Sequence, residues 1–441
     1  MTAAVRVVPA DVLTPIGAYL ALAQPQASCL LESVESGGRI SRYSFIGLDY
    51  RAAATFDSAP ELFDRVRSFV AEHRAESEDA SLGGALLAFA YDAARCDARL
   101  GRREPSRPAM PAAYVAIPAT WLIFDHFSDR LTLWCSGDNP GSCERRIGGY
   151  LERLLAARPA MPRPLRALGA MSASLERDRF LTLVGEVKRH IFEGDVYQLQ
   201  LGIRFGADLD GSAFDLYRAL RRENPSPYMF YVDTPFGQML GASPEFLVRL
   251  EGRKARIRPL AGTRWRGRDD EEDARLATEL LANEKERAEH VMLVDLGRND
   301  LGSVCEYGSV QVDELLQIER YSHVMHIVSN VVGRLREDRD ALDLFRAGFP
   351  AGTVTGTPKI RAMQLIDELE PVTRGFYAGS IGRWSFGGDF DSCITLRSVH
   401  VQEGRAWWQA SAGIVADSDP AAEYREVFDK TRIAREVLGV S

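Results

Sequence analysis

The chain has 441 residues, 46% hydrophobic and 26% charged, enough to bury a sizeable core in one large domain or in two or three smaller ones. A net charge of -8 and an isoelectric point near 5.6 exclude non-specific nucleic-acid binding, so an anionic ligand needs local Arg, Lys or metal to overcome the global field. The six cysteines (Cys29, Cys96, Cys135, Cys143, Cys305, Cys393) form no C-x-x-C pair and no zinc spacing. The first residues lack a signal-peptide h-region, and no run approaches the ~20 apolar residues of a membrane span. A soluble cytoplasmic protein with reduced thiols and no membrane contact is expected.

In chain order, Ser28-Cys-Leu-Leu-Glu-Ser33 and Arg42-Tyr-Ser-Phe-Ile-Gly47 read as paired strands across a Gly-rich turn at Glu35-Ser-Gly-Gly38. A helix is predicted over 60–76, strands over 84–92, 113–124 and 129–135, and a helix from Asp138-Asn-Pro-Gly141 through Leu155. Three prolines within Ala156–Leu165 break any helix and mark a boundary between a 1–160 region and a 170–441 region. Beyond it, Leu175–Glu193 is helical and ends at Gly194, and Asp195–Arg204 alternates like a strand. A helix at 212–223 stops at Asn224-Pro-Ser-Pro227, and strands follow at 228–232, 238–241, 245–250 and 254–258. A central helix covers 283–300 and another covers 320–331. The rigid loop 349–358 opens the helix Lys359–Leu369, strands occupy 379–386, 391–399 and 406–413, and a helix spans 419–437. Hairpin-length turns without steady β-α-β alternation predict an α+β fold, antiparallel sheets covered by helices.

Chemistry concentrates in the second region. Glu286 and Glu289 lie three apart on one helix face, and Glu423 and Glu426 repeat the spacing with Lys430 four residues on. Two such pairs suit a hard cation such as Mg2+, which takes oxygen ligands; a solvated helix face has the same spacing, which alone does not choose between them. Gly352-Thr-Val-Thr-Gly-Thr-Pro-Lys359 fails the phosphate-loop spacing, yet its small residues could offer N–H groups to a carboxylate or simply form a tight loop. Arg397, on the strand reading of Cys393–Ser398, either pairs with a core acid or clamps a ligand carboxylate. His326, on the 320–331 helix reading, is either a satisfied core residue or a proton donor and acceptor near neutral pH.

Taken together, Ser243-Pro-Glu245, Arg258-Pro-Leu-Ala-Gly-Thr263, Lys285–Asp300, Glu319-Arg-Tyr-Ser-His-Val-Met-His326, Phe349-Pro-Ala-Gly-Thr353, Gly356-Thr-Pro-Lys359 and Ala412–Asp417 resemble the chorismate-utilising enzymes, anthranilate synthase component I and its relatives. The resemblance covers roughly 170–437 and, more loosely, the N-terminal part. It implies an anthranilate-synthase-like sandwich of antiparallel sheets covered by helices. It also implies a Mg2+ site at Glu286, Glu289, Glu423 and Glu426. Chorismate carboxylates are then held by Tyr377, Arg397, Lys430 and the backbone around Thr353 and Gly413, with His326, Gln198, Thr263 and Glu286 at the reacting centre.

Water-using relatives carry Lys where this chain has Gln198, so the resemblance implies amination at C2 by ammonia. Aminodeoxychorismate synthases commonly carry a nucleophilic Lys where this chain has Ala261, which cannot capture C2. Direct attack then gives 2-amino-2-deoxyisochorismate, and pyruvate elimination with His326 as acid/base gives anthranilate. No cysteine sits in a Gly-x-Cys-x-Gly turn, so ammonia is expected from a separate glutamine amidotransferase subunit. Leu30-Leu-Glu-Ser33 and Asn224-Pro-Ser-Pro-Tyr-Met-Phe230 resemble the two halves of a tryptophan feedback site, through Glu32, Ser33, Asn224, Pro225, Tyr228 and Met229; a strand and a turn that merely pack are the plain alternative. One departure stands out: Ser411 replaces the Gly that usually opens the motif Ser411-Ala-Gly413. It leaves room for an enzyme that stops at the aminated intermediate. A 4-amino-4-deoxychorismate synthase and a silent tryptophan-binding regulator are the other rivals.

Overall fold

The structure, a computed structural model, describes residues 2–33, 42–75, 77, 79–96, 100–101, 103–158, 160–320 and 324–440, without the side chain of Thr263. The turn expected at Glu35–Gly38 lies outside these residues, as do Tyr321, Ser322 and His323 of one matched motif.

Among the described residues, twenty strands pair into one connected sheet system. The first limb runs Arg166–Ala173, Gln198–Asp210, Arg405–Ile414, Ser398–Gln402, Gly237–Ser243, Tyr228–Thr234, Ser28–Glu32, Tyr43–Phe56 and Ala113–Asp125, antiparallel at every step. From there Gly84–Phe89 leads into the second limb, Ser380–Ser385, Phe390–Ile394, Phe246–Glu251, Lys254–Ile257 and Val324–Arg334. Successive side chains alternate between faces of a strand. Cys29, Phe230, Val232 and Met239 therefore enter the core shared with Leu86, Phe89, Ile381 and Phe390 of the second limb. Their neighbours Leu30, Met229, Tyr231 and Leu240 face the other way, into a second core with Phe180, Leu220 and Val427 from helices Arg177–Phe192, Ala213–Glu223 and Pro420–Leu438. This is the expected α+β arrangement. Strands before the proline-rich stretch pair with strands after it, Ser28–Glu32 with Tyr228–Thr234 and Gly84–Phe89 with Ser380–Ser385.

The two carboxylate-bearing helices form as read. The central helix, Glu284–Gly302, is capped by Asn283, whose side chain accepts from the Glu286 backbone N–H at 3.0 Å. The last helix, Pro420–Leu438, has Asp419 as N-cap, Pro420 in its first turn and Gly439 at φ +67° beyond its end.

Two local expectations fail. Where a helix over 320–331 was expected, Val324–Arg334 is a strand, held between Leu260–Trp265 and Gln311–Arg320, and His326 sits on it. Its β-branched run suits a strand, and ladder pairing on both sides outweighs the helical reading. The strand expected over 391–399 is broken, with Phe390–Ile394 and Ser398–Gln402 separated by Arg397 at φ +47°. A left-handed backbone is rare for a residue with a side chain, and such positions gather where function holds them. Strands at Thr2–Pro9, Arg166–Ala173, Leu260–Trp265 and Gln311–Arg320, and the helix Pro15–Leu22, were not anticipated.

Candidate active site

The central and last helices bring their carboxylates toward a common space. Glu286 lies against the backbone of Gly262, where an added Cβ would come 3.2 Å from Oε2, and it accepts from Arg264 at 3.3 Å. Glu289 accepts from Gln198 Nε2 at 3.0 Å. Burial first, then the charge of Glu286 and that of Glu426, raises the Glu289 pKa above the ordinary carboxylate value. Burial likewise raises Glu423, with Glu426 adding to it against a bond from Ser418. Glu289 thus feels Glu286 and Glu426, Glu423 feels Glu426, and Glu423 Oε2 is a buried oxygen with no hydrogen-bond partner.

An all-oxygen donor set with mutual repulsion and one orphaned oxygen fits a hard divalent cation. The set is open rather than closed. Among the described residues, the trio whose ligand atoms all lie within 4.8 Å is His190, Glu193 and Asp195, not any three of these glutamates. That trio is an ion-pair network with Arg189 and Arg361. Glu426 is meanwhile tied to Lys430 at 2.7 Å.

Beside the carboxylates, His326, Arg397 and Lys430 line one cavity of about 110 Å³. His326 Nδ1 lies 3.1 Å from the Gly262 carbonyl, the geometry of an Nδ1–H donor, which makes Nε2 the acceptor nitrogen. Burial, and then the cations Arg397 and Lys430, pull its pKa down to about 4, so the imidazole is neutral at physiological pH. Thr263 pairs with His326 in the strand ladder. Lys430 Nζ also donates to the Ser411 carbonyl at 2.9 Å.

Gly413 pairs with Gln200, and a Cβ there would fall 2.8 Å from Gln198 Nε2 and 2.9 Å from Gln200 Nε2, so any larger residue would push the ends of both glutamine side chains aside. The Ser411 hydroxyl donates to Gln200 Oε1 at 2.8 Å and meets the Tyr377 hydroxyl at 2.8 Å. The serine that departs from the usual glycine therefore braces Tyr377.

One group was matched as a motif but given no role: Glu245. It is 7% exposed, and its carboxyl accepts from Thr353 Oγ1 at 3.2 Å. Burial raises its pKa to about 8 against that bond, which makes it a neutral acid at pH 7. The pattern Ser-Pro-Glu was visible; the burial that gives it chemistry comes from distant segments.

The residues expected for feedback divide. Glu32, Ser33, Tyr228 and Met229 line a cavity of about 410 Å³ with Phe45, Arg249, Arg383 and Asp391. Asn224 and Pro225 line the His326 cavity instead. Glu32 accepts two bonds from Arg221, at 2.9 and 3.0 Å, and one from Tyr217 at 2.5 Å. Tyr228 donates to Asp391 at 2.8 Å.

These features define an enzyme that handles a carboxylate-rich small molecule. The chain matches the family model for chorismate binding enzymes over residues 26–436. It is 43% identical to anthranilate synthase component 1 of Thermus thermophilus, over 96% of this chain and 95% of that protein. It is also 39% identical to aminodeoxychorismate synthase component 1 of Bacillus subtilis, over 93% and 92%. The crystal structure of anthranilate synthase component I from Streptococcus pneumoniae TIGR4 superposes with a TM-score of 0.82 at 33% identity, covering 98% of this chain and 99% of that one. The chain belongs to the chorismate binding enzyme family. Within that family of chorismate-utilising enzymes, it is similar over nearly its whole length to proteins named anthranilate synthase component I. Among the described residues no helix is long and apolar enough to cross a membrane.

Proposed function

We propose that the chain is the chorismate-aminating component of an anthranilate synthase, converting chorismate and ammonia to anthranilate and pyruvate. The observation that carries the reading is Gln198, 2% exposed and donating to Glu289 at 3.0 Å. An amide cannot act as a general base for water, whereas ammonia is a competent neutral nucleophile.

Arg397, Tyr377 and Lys430 orient the carboxylates of chorismate. Ammonia attacks C2 as the ring double bond shifts, neutral Glu245 gives its proton to the C4 hydroxyl, which leaves as water, and the new C2 ammonium sheds a proton to solvent. Glu286, Glu289, Glu423 and Glu426 would hold a Mg2+ ion, which would supply charge neutralisation for a substrate carboxylate and for the departing group. The product of this half is 2-amino-2-deoxyisochorismate. In the second half, His326 Nε2 takes the C2 proton, the ring becomes aromatic, and the enolpyruvyl ether leaves as pyruvate after its methylene is protonated. Ammonia comes from a separate glutamine amidotransferase subunit, and the pathway is tryptophan biosynthesis in the cytoplasm. Tryptophan inhibits from the 410 Å³ cavity, where acids and arginines suit the two ends of an amino acid.

A release of the aminated intermediate is the second reading, because Ser411 holds Tyr377 in a bond that glycine could not make. Incubating the chain with chorismate, Mg2+ and ammonium salt, with products resolved by mass, tests both. Anthranilate and pyruvate in equal amounts support the full synthase. A product that keeps its enolpyruvyl group supports the second reading, and no consumption of chorismate overturns both.

A further inference from the structure

Glu245 spends one proton in each amination, and its carboxyl is buried. Something has to return that proton. A cavity of about 30 Å³ lies against Glu245, lined also by Arg258, Asp300 and Thr353. That is room for one water, and those polar groups meet its need for two to four partners.

Asp300, in the last turn of the central helix, borders this cavity on one side and a groove of about 860 Å³ on the other. Lys359 lines the same groove, and its Nζ donates to Asp300 Oδ2 at 2.9 Å. Both side chains are nearly buried, at 16% and 12% exposure, so the pair forms a wall between groove and cavity.

We propose that Lys359 and Asp300, through a water in the small cavity, are the proton relay that recharges Glu245 after each amination. The inference rests on Glu245 acting as the acid of the proposed function. Per turnover, one Lys359 N–H bond breaks as its proton moves to Asp300 Oδ2. Asp300 passes a proton to the water, and the water passes one to the Glu245 carboxylate. Lys359 regains its proton from solvent in the groove, and the proton shed to solvent by the new C2 ammonium balances it, so no other reactant is needed. Neither residue touches substrate; both act through Glu245.

Other charged groups near the path do not fill this role. Arg249, Arg256 and Arg258 face Glu245 across a separate cavity of about 310 Å³, and a guanidinium cannot be deprotonated. Asp313, Glu314 and Glu319 line that cavity as well, with Glu319 paired to Arg258. On the groove side, Asp295 and Arg346 stand near the pair, and Asp295 is bound to Arg298 at 2.8 Å.

The test uses the full chain with ammonium salt as nitrogen source. Lys359→Arg keeps the ion pair with Asp300 but cannot release a proton. Relay predicts that Lys359→Arg and Asp300→Asn each lower kcat for amination by ~10²-fold, in the range of general acid–base effects, with KM for chorismate within about twofold of wild type. Asp300→Glu retains most of the activity. The solvent isotope effect on kcat rises in the slow variants, and their alkaline limb moves to lower pH. Pyruvate release from supplied 2-amino-2-deoxyisochorismate, which needs no hydroxyl protonation, reports that each variant is folded. A fully active Lys359→Arg means the pair is only structural and overturns the relay. Loss in Glu319→Gln with none in Asp300→Asn also overturns it, moving the path to the 310 Å³ cavity. If wild-type enzyme does not aminate chorismate, the proposed function fails first and separately.

Discussion

Arg397 Nη1 donates to Asn224 Oδ1 at 3.3 Å, joining the expected carboxylate clamp to the turn that leads into Tyr228 and Met229 of the 410 Å³ cavity. Asn224 is 7% exposed, and its Nδ2 donates to Ser226, so the amide is held from both ends. One buried side chain therefore touches both the clamp and the segment lining the second cavity.

Asn224→Ala removes a bond to a charged group, worth ~1.5–3 kcal/mol, so KM for chorismate is expected to rise ~10-fold or more. The proposed tryptophan binding, read by calorimetry, should be retained because Glu32 and Tyr228 remain, while its expected effect on KM should shrink. An unchanged KM would show that the contact does not orient Arg397 for substrate.

Glu245→Gln should cut amination by ~10²–10⁴-fold, since an amide cannot give a proton to the leaving hydroxyl. Stability moves the other way. The folded-state pKa of about 8 lies above the ordinary value of 4.5, so the stability linked to this group is fully present below pH 4.5 and lost as pH rises through 8. The variant lacks that loss. Denaturant melts at pH 5 and pH 9 should therefore show wild type falling relative to Glu245→Gln as pH rises, with a slope no steeper than ~1.4 kcal/mol per unit. Parallel curves would mean the carboxyl is not protonated in the fold.

His326→Asn is expected to aminate chorismate and accumulate the enolpyruvyl-bearing intermediate, because its role falls in the second half-reaction. In wild type the elimination step should hold its rate on acidification until pH nears 4, where the imidazole gains its proton and loses its acceptor nitrogen. A collapse near pH 6.5 would show that His326 titrates like an exposed histidine.

Mg2+ should raise the melting temperature of the free chain, as any ligand of the folded state does; at 100 times its Kd the gain is ~2.7 kcal/mol. Glu423→Gln removes one charged oxygen donor and should reduce the shift at equal Mg2+. Chelation is expected to abolish turnover in wild type, with recovery on adding Mg2+. A full shift in Glu423→Gln would take the last helix out of the site.

What could be read from the chain followed the physics of each segment. The paired glutamates were legible because helical spacing puts them on one face, and their capping residues, Asn283 and Asp419, stand in the sequence. The strand carrying His326 was not. Every residue from Met325 to Val331 is buried, on both faces of the strand, so the two-residue alternation that marks a half-exposed strand is absent. The break at Arg397 was hidden too, because its left-handed backbone is imposed by contacts to residues 242 and 224 far away in the chain. Glu245 lacked a role for a similar reason. Its acidity depends on burial by residues 258, 293, 296, 297 and 351–353, which no local pattern reveals.

The pairing of Ser28–Glu32 with Tyr228–Thr234, and of Gly84–Phe89 with Ser380–Ser385, sets the order in which the protein can be completed. During synthesis the first strand waits for a partner about two hundred residues behind it, and the other for one about three hundred behind. Such long sequence separations slow folding, and the waiting strands present open edges to neighbouring chains. A fragment beginning near residue 170 would lack both of these strands and leave the partner edges of Tyr228–Thr234 and Ser380–Ser385 open permanently. Chaperone demand at high expression, and poor recovery of truncated catalytic fragments, are thus built into the topology.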